Sequence, residues 1–375
     1  MRVLILADEL FASRERAMLT RLEVGLADEG VRIIHAIPER SARAQLVTGG
    51  QAVFSQAITY SDITMPWADR FRAATLARTL SEMPFEEDEK PVDVIHVFGG
   101  GVWGLGQSLA KLTNAGLALE VWRIGLVERA AATRSRSLGK PGNDPLFLAP
   151  DQTIERALLS HGPGMTVRAA LWGVHTSDQP REILRADRVP SIMIVGTGRD
   201  SAAFHAVISG LAQAVKACGE FLVFMDSRAA HRAKVWPAME RLGLLPRVSL
   251  IEELEGRQDL LLHGDVLIHP DAEGDQRSIL LEAMGAGMAI LAAEDRSVSA
   301  LIDGQTALLV PDSSAAAWAA AIEATLLDRD RSNALGRSAR DYVRANRPAS
   351  GYVASVLSAY SWLSSNDAIP LRAAP

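Results

Sequence analysis

The chain has 375 residues, 48% of them hydrophobic, more core than one domain usually builds and enough for two. A formal net charge of −6 offers no basic surface for a nucleic-acid backbone, although it leaves room for a local phosphate site. The single cysteine, Cys218, excludes an internal disulfide and a thiolate metal cluster, and no apolar run reaches the roughly 18 residues of a membrane-spanning helix. The opening MRVLILADELFASRER meets charge at once, unlike a signal peptide. The expectation is a cytoplasmic protein, with peripheral attachment to a membrane surface left open.

In chain order, Val3 to Ala7 reads as a buried strand, Asp8 to Ser13 as a loop and Glu15 to Ala27 as a helix with Met18, Leu19, Leu22 and Leu26 near one face. Gly30 stops it, and VRIIHAI is a second strand. This opening is Rossmann-like but lacks the glycine fingerprint of a dinucleotide site. A helix follows over Ala68 to Leu80, then a solvated acidic turn, PFEEDEKP, and a strand, VDVIHVF. Gly99 to Gly101 lie at that strand's carboxyl end, where open α/β sheets place ligands. They fit either close ligand approach or a tight turn with one left-handed residue. A helix over Leu105 to Leu112 and a strand, LALEVWRIG, come next. Arg129 to Pro145 is basic, Ser/Gly-rich and aperiodic, hence an exposed loop, and Asp151 to Leu159 is helical.

After a domain switch between Thr176 and Val189, the pattern restarts with PSIMIVG, a helix over Ser201 to Ala217, and a strand ending at Asp226. Helix Ala229 to Leu242, strand RVSLI, helical Leu254 to Leu262 and strand DVLIHP follow. Beyond it come strand MAILAA, a short helix near Val298 to Ile302, strand ALLVP, and helices over Ser314 to Leu326 and Arg331 to Arg344. Pro348 breaks the pattern before an amphipathic segment, Gly351 to Leu363, and a frayed tail. Two doubly wound α/β domains with a ligand cleft between them are predicted: 1–182, 183–348, and a terminal helix and tail, 349–375.

The most informative stretch is HPDAEGDQRSILLEAMGAGMAIL, His269 to Leu291. It places an acidic, glycine-bearing loop and a short helix between two buried strands. Ser278 is expected to cap helix Ile279 to Met284, leaving the amides of Ser278, Ile279 and Leu280 as an anion site. Arg277 can add a charge-assisted bond to phosphate. Glu282 is a lone carboxylate among apolar residues, suited to accepting hydrogen bonds from a pair of ligand hydroxyls; the alternative is a solvated surface charge. His269 ends its strand beside the loop and is the histidine best placed to touch a ligand. His96 is expected to be a strand-end residue with an ordinary hydrogen bond, and His175 to line a hinge. There is no HExxH spacing, GxSxG elbow or GxxxxGK[ST] loop, so zinc peptidase, serine hydrolase and P-loop chemistry have no motif.

The stretch DVLIHPDAEGDQRSILLEAMGAGMAILAA, with LIDGQTALLVP after it, resembles the retaining GT-B glycosyltransferases, GT4-like, of the glycosyl transferases group 1 type. The resemblance implies two Rossmann-like domains, a nucleotide-diphosphate sugar donor in the second, an acceptor in the first, and a last helix returning to the first domain. It implies that Glu273 contacts the sugar, with Arg199 and Arg277 stabilising charge, as catalytic residues. Ser278, Ile279, Leu280, Glu282, Gly274 and His269 would hold the donor. No metal or cofactor is expected, and polysaccharide biosynthesis is the natural setting. The acceptor would be a glycan, a lipid-linked or a small-molecule hydroxyl.

The chain also departs from that family. Its paired glutamates are separated by seven residues; counting back from Glu282 reaches Gly274, with Glu273 adjacent. Arg123 stands where a histidine that contacts the sugar is expected, and the first loop reads FASRER where a Gly-Gly pair is usual. Two readings follow. One is an active transferase in which Arg14, Arg16 or Arg123 helps neutralise phosphate. The other is a non-catalytic protein that binds a nucleotide sugar or glycan as a scaffold or assembly partner.

Overall fold

The computed structural model describes residues 1–365 apart from 48–53, 63, 64, 66, 85–89, 138–143, 163, 253, 255–257, 312 and 313. The chain divides into two compact units, Met1–Trp172 with Ala349–Pro375, and Gly173–Pro348. Segment Gly173 to Glu182 goes with the second unit, ahead of the 182/183 boundary: Val174 bridges Pro348, and the amide of the next residue on, Ile183, donates to Asn333 at 2.9 Å.

The first unit holds strands β1 (Arg2–Ala7), β2 (Arg32–Pro38), β3 (Ala57–Tyr60), β4 (Val94–Phe98), β5 (Gly116–Glu120), β6 (Leu146–Ala149) and β7 (Val167–Ala169). They pair in the order β3-β2-β1-β4-β5-β6-β7, every pair parallel. The second unit holds β8 (Ser191–Ile194), β9 (Leu222–Asp226), β10 (Val248–Ile251), β11 (Val266–His269), β12 (Ala289–Ala293) and β13 (Leu308–Val310), in the order β10-β9-β8-β11-β12-β13, again all parallel. Parallel strands need cover on both faces, which is why β1, β4, β8, β11 and β12 are uninterrupted buried runs. In both sheets the order reverses between two central strands, β1 and β4 in one, β8 and β11 in the other. At such a reversal the flanking helices lie on opposite faces and leave a crevice at the carboxyl ends.

Several local expectations change. Asp8 to Ser13 is not a loop: helix Glu9–Ser13 forms because the Asp8 carboxylate caps it, accepting the amides of Leu10 and Phe11 at 3.1 and 3.3 Å. The first part of the basic loop is helix Val127–Ser137, in which Val127 and Ala130 are buried while Glu128 and Arg129 are exposed; 138–143 lie outside the described residues. Helix Ala229 to Leu242 is two helices, Ser227–Ala233 and Trp236–Arg241, broken at left-handed Lys234 with φ 56°. Turns replace the helix expected near Val298 to Ile302. Helix Glu39–Val47 and strands β3, β6 and β7 were not anticipated; these strands have only three or four residues each. Residues 85–89 of the acidic turn and the tail from 366 lie outside the described residues.

The last helix, Ala349–Ser364, packs within the first unit on helix Arg16–Asp28. Gly25 permits the contact, since a Cβ there would lie 2.5 Å from a Val353 methyl. No helix among the described residues is long and apolar enough to cross a membrane.

Candidate functional site

In the second unit, β8 runs into Gly196, Thr197, Gly198 and Arg199, while β11 ends at His269, Pro270 and Asp271. The Asp271 carboxylate accepts the Thr197 amide and so ties the two loops at the crevice. Burial raises the Asp271 pKa, against the lowering effect of its Thr197 hydrogen bonds. Arg199 and Glu273 meet at the rim in a 3.3 Å ion pair, their side chains 47% and 23% exposed, so the pair holds geometry more than it stabilises the fold. The loop between is fastened from the far side. Gly274 donates its amide to Asp295 at 2.7 Å and Gln276 its side chain to the Ser297 carbonyl at 2.8 Å. The turn just ahead of the expected short helix therefore braces this loop.

Ser278 does not cap the following helix. The helix runs Ser278–Gly285 with extended Arg277 at the cap position, and the Arg277 side chain makes no cap hydrogen bond. The Leu280 amide turns inward to the Arg277 carbonyl at 3.3 Å, so Leu280 drops out of the expected anion-binding trio. Ser278 and Ile279 remain in the first turn, where helix geometry provides no intrahelical acceptor. The whole helix is buried, and Glu282, only 8% exposed, is not a solvated surface charge. Arg277 is buried too. The positive end of the peptide dipoles, a buried guanidinium and a buried carboxylate thus share one short helix start.

His269 is buried at the end of β11, with no hydrogen bond of normal geometry to either ring nitrogen among the described residues. Burial, helped by the Arg277 cation, lowers its pKa to about 4, so the imidazole is neutral near pH 7 and offers one donor and one acceptor. Asp226, at the end of β9, is committed elsewhere: it caps helix Ser227–Ala233 through the Ala229 amide at 2.9 Å. The His175 side chain is exposed, while its carbonyl lies 3.1 Å from where a Cβ on Gly285 would be. Among the described residues no group of three or more His, Cys, Asp or Glu is placed to hold a metal ion.

The corresponding end of the first unit's sheet is furnished differently. Gly99 has φ +98°, and a Cβ there would sit 2.0 Å from the Asp8 carboxyl carbon. The turn at Gly99, with its positive φ, accommodates the Asp8 side chain. Burial raises the Asp8 pKa to about 6, although backbone amides oppose it. A cavity of about 440 Å³ opens here, lined by Asp8, Glu9, Arg40, Tyr60, Asp62 and Arg72 among others. Tyr60 donates to the Ala7 carbonyl at 2.7 Å, and Arg72, ion-paired to Asp69, lies 5.8 Å over the Tyr60 ring.

Arg123 stacks on its neighbour Trp122, guanidinium carbon 5.7 Å from the ring centre. His96 belongs to a fully buried network that sequence reasoning missed. Its Nε2 lies 3.1 Å from Glu120, its Nδ1 2.8 Å from the Tyr360 hydroxyl, and Trp172 donates to Glu120 at 2.7 Å. The network joins β4 and β5 to the last helix, which is a packing role. No spacing signals it, because its members are far apart in sequence.

Residues 192–328, all within the second unit, match the family described as glycosyl transferases group 1. No curated protein matches the chain. Solved structures similar to it include HepE of Anabaena in complex with UDP and glucose, at 14% identity and a TM-score of 0.72, covering 96% of this chain and 99% of that one. A glycosyltransferase from Rickettsia africae gives 16% identity and 0.70, covering 97% and 99%. Sucrose-phosphate synthase from Thermosynechococcus elongatus gives 15% and 0.70, covering 96% and 99%. The fold is the two-domain α/β architecture of these structures, GT-B.

Proposed function

We propose that the protein is a glycosyltransferase that moves a sugar from a nucleotide diphosphate to a hydroxyl acceptor, with retention at the anomeric carbon. The observation that carries this reading is the buried Arg277 and Glu282 on one short helix start at the β8/β11 crevice, inside the segment that matches the family. The UDP and glucose bound by the similar Anabaena structure support the donor class.

Each residue has a role in this reading. Glu282 accepts the ribose hydroxyls. The Ser278 and Ile279 amides and Arg277 take the diphosphate, with Arg199 reaching it from the rim once its pairing with Glu273 loosens. Glu273, and Gly274 beside it, face the sugar hydroxyls. His269 supplies a neutral donor or acceptor, and Leu280 serves as apolar support. In front-face attack the acceptor oxygen bonds to the anomeric carbon as the bond to the diphosphate breaks. The electron pair leaves with the phosphate, which also takes the acceptor's proton. The protein's part is fixed positive charge at the leaving oxygen, and no protein nucleophile, metal or other cofactor is invoked. A GT4-like enzyme of polysaccharide biosynthesis, cytoplasmic or peripheral at a membrane, fits this chemistry.

A second reading, a binding protein without turnover, is favoured by one observation: the residue at the expected histidine position is Arg123, stacked on Trp122. Incubation with UDP-, GDP- and ADP-sugars, with and without extracts supplying acceptors, separates the two. Release of nucleoside diphosphate that disappears in Glu282→Gln and Arg277→Ala establishes transfer. Saturable donor binding without release under any acceptor establishes the binding protein.

A further inference from the structure

Asp271 is an acid only 3% exposed, two residues beyond the end of β11. A carboxyl group so deeply buried costs stability unless its contacts offset the lost hydration, and a neutral residue would fill the same space at lower cost. Its hydrogen bonds go to Thr197, whose amide and hydroxyl both donate to it. The Thr197 hydroxyl oxygen in turn accepts the amide of Arg199 at 3.1 Å, and the Arg199 guanidinium reaches Glu273 at 3.3 Å. The loop is shaped around this carboxylate. Gly196 has φ +147°, and a Cβ there would lie 2.8 Å from Asp271 Oδ2. On the other side, a Cβ on Gly198, with φ +70°, would lie 2.5 Å from the Ala229 carbonyl oxygen of helix Ser227–Ala233, and Arg232 of that helix donates to the Thr197 carbonyl at 3.2 Å. The backbone from Gly196 to Gly198 is thus clamped between Asp271 and that helix. The Arg199 side chain, 47% exposed, is held at its tip by the rim pair alone among the described residues.

We propose that Asp271 is the positioning residue for Arg199: through Thr197 it fixes the loop that carries Arg199, so that the guanidinium is delivered to the distal phosphate of a bound nucleoside diphosphate. Resting on the transferase reading, this gives Asp271 a part in stabilising the leaving group without touching it. A guanidinium on a long side chain has many orientations to lose when it meets a phosphate, and a fixed base leaves fewer of them. Asp271 and Arg199 therefore act as one unit. A carboxylate that merely stood near the phosphates would repel them instead, so the two roles have opposite signs.

The test is calorimetry with UDP, GDP and ADP and the matching monophosphates on wild type, Asp271→Ala, Arg199→Ala and the double variant, with Asp271→Asn and Thr197→Val alongside. Thermal unfolding checks that each is folded. Should Asp271→Ala not fold, Thr197→Val, which removes only the hydroxyl, takes its place in the cycle. For the diphosphate that wild type binds, Asp271→Ala and Arg199→Ala should each weaken binding at least about fivefold while monophosphate affinity stays within about twofold. The double variant should bind no more weakly than Arg199→Ala. Asp271→Asn, whose side-chain oxygen still accepts the Thr197 amide, should keep most of the wild-type affinity. Losses that multiply in the double variant overturn the proposal, since Asp271 then acts without Arg199. Wild-type diphosphate affinity in Arg199→Ala overturns it too, as does an equal loss of diphosphate and monophosphate affinity in Asp271→Ala, which marks general damage to the crevice. Tighter diphosphate binding in Asp271→Ala is the mark of plain repulsion and overturns it as well. A wild type that binds none of the nucleotides defeats the transferase reading and this inference together, whereas normal wild-type binding with multiplying losses defeats the inference alone.

Discussion

At the carboxyl end of β1 the first unit places Asp8, a half-buried acid pressed against a glycine turn, while at the equivalent end of β8 the second unit places glycines and a threonine amide. Across the reversal, β4 leads into Gly99 to Gly101, and β11 into neutral His269 with the helix of Arg277 and Glu282 beyond. The strand order around the two crevices is the same. Topology therefore makes a crevice in each unit but does not choose its chemistry. Asp8 occupies the first crevice with negative charge and hydrogen-bond acceptors, suited to hydroxyls. The second crevice combines a helix start with a guanidinium, suited to phosphate.

The largest expected effect breaks the first crevice. Gly99→Ala puts a methyl into the Asp8 carboxyl group at a φ that side chains avoid, and should cost about 4 kcal/mol in urea unfolding. Asp8→Ala in the same chain should recover part of that loss. If it recovers none, backbone strain alone sets the cost and the carboxylate is not what the turn accommodates.

The two crevices should also respond to pH in opposite directions. Asp8 rises from 3.8 to about 6 on folding, so the stability it contributes is present below pH 3.8 and lost as pH rises through 6. His269 falls from 6.5 to about 4, so its contribution is present above pH 6.5 and lost as pH falls through 4. Each effect is on the order of 3 kcal/mol at its limit and they largely cancel in the intact chain. Unfolding measured between pH 4 and 7 should therefore show Asp8→Asn gaining stability with rising pH and His269→Asn losing it. Parallel profiles for the two variants would remove the contrast.

Glu282→Gln should weaken UDP or GDP binding by about one to two decades, equivalent to about 1–3 kcal/mol, while Asp8→Asn leaves it unchanged. Calorimetry checks both, and equal affinity in Glu282→Gln would remove that carboxylate from the site. The smallest effect is at the rim: Glu273→Gln should change stability by less than about 1 kcal/mol, because the Arg199 pair is solvent-exposed. Its influence should show instead in donor-sugar turnover.

The runs Val3 to Ala7, VDVIHVF, PSIMIVG and DVLIHP identified the central strands from the sequence alone, since a strand buried on both faces is apolar along most of its length. The restart at Pro190 revealed the repeat, and the stretch from His269 to Leu291 singled out the helix that carries Arg277 and Glu282. These signals are local, and a run of residues carries them by itself. Whether Glu282 is buried, whether Asp8 fills the space that Gly99 leaves, and whether His96 meets Glu120 and Tyr360 depend on segments distant in the chain. The cap of the Ser278–Gly285 helix was misplaced by one residue for a related reason: the bracing of its loop by Asp295 and Ser297 selects where the first turn starts, and a capping preference of about 1 kcal/mol is too small to override it. Composition and periodicity thus determined two parallel sheets and the helix that faces the second crevice, whereas the charge and protonation state of each crevice were decided by burial, which exists only once the strands have paired.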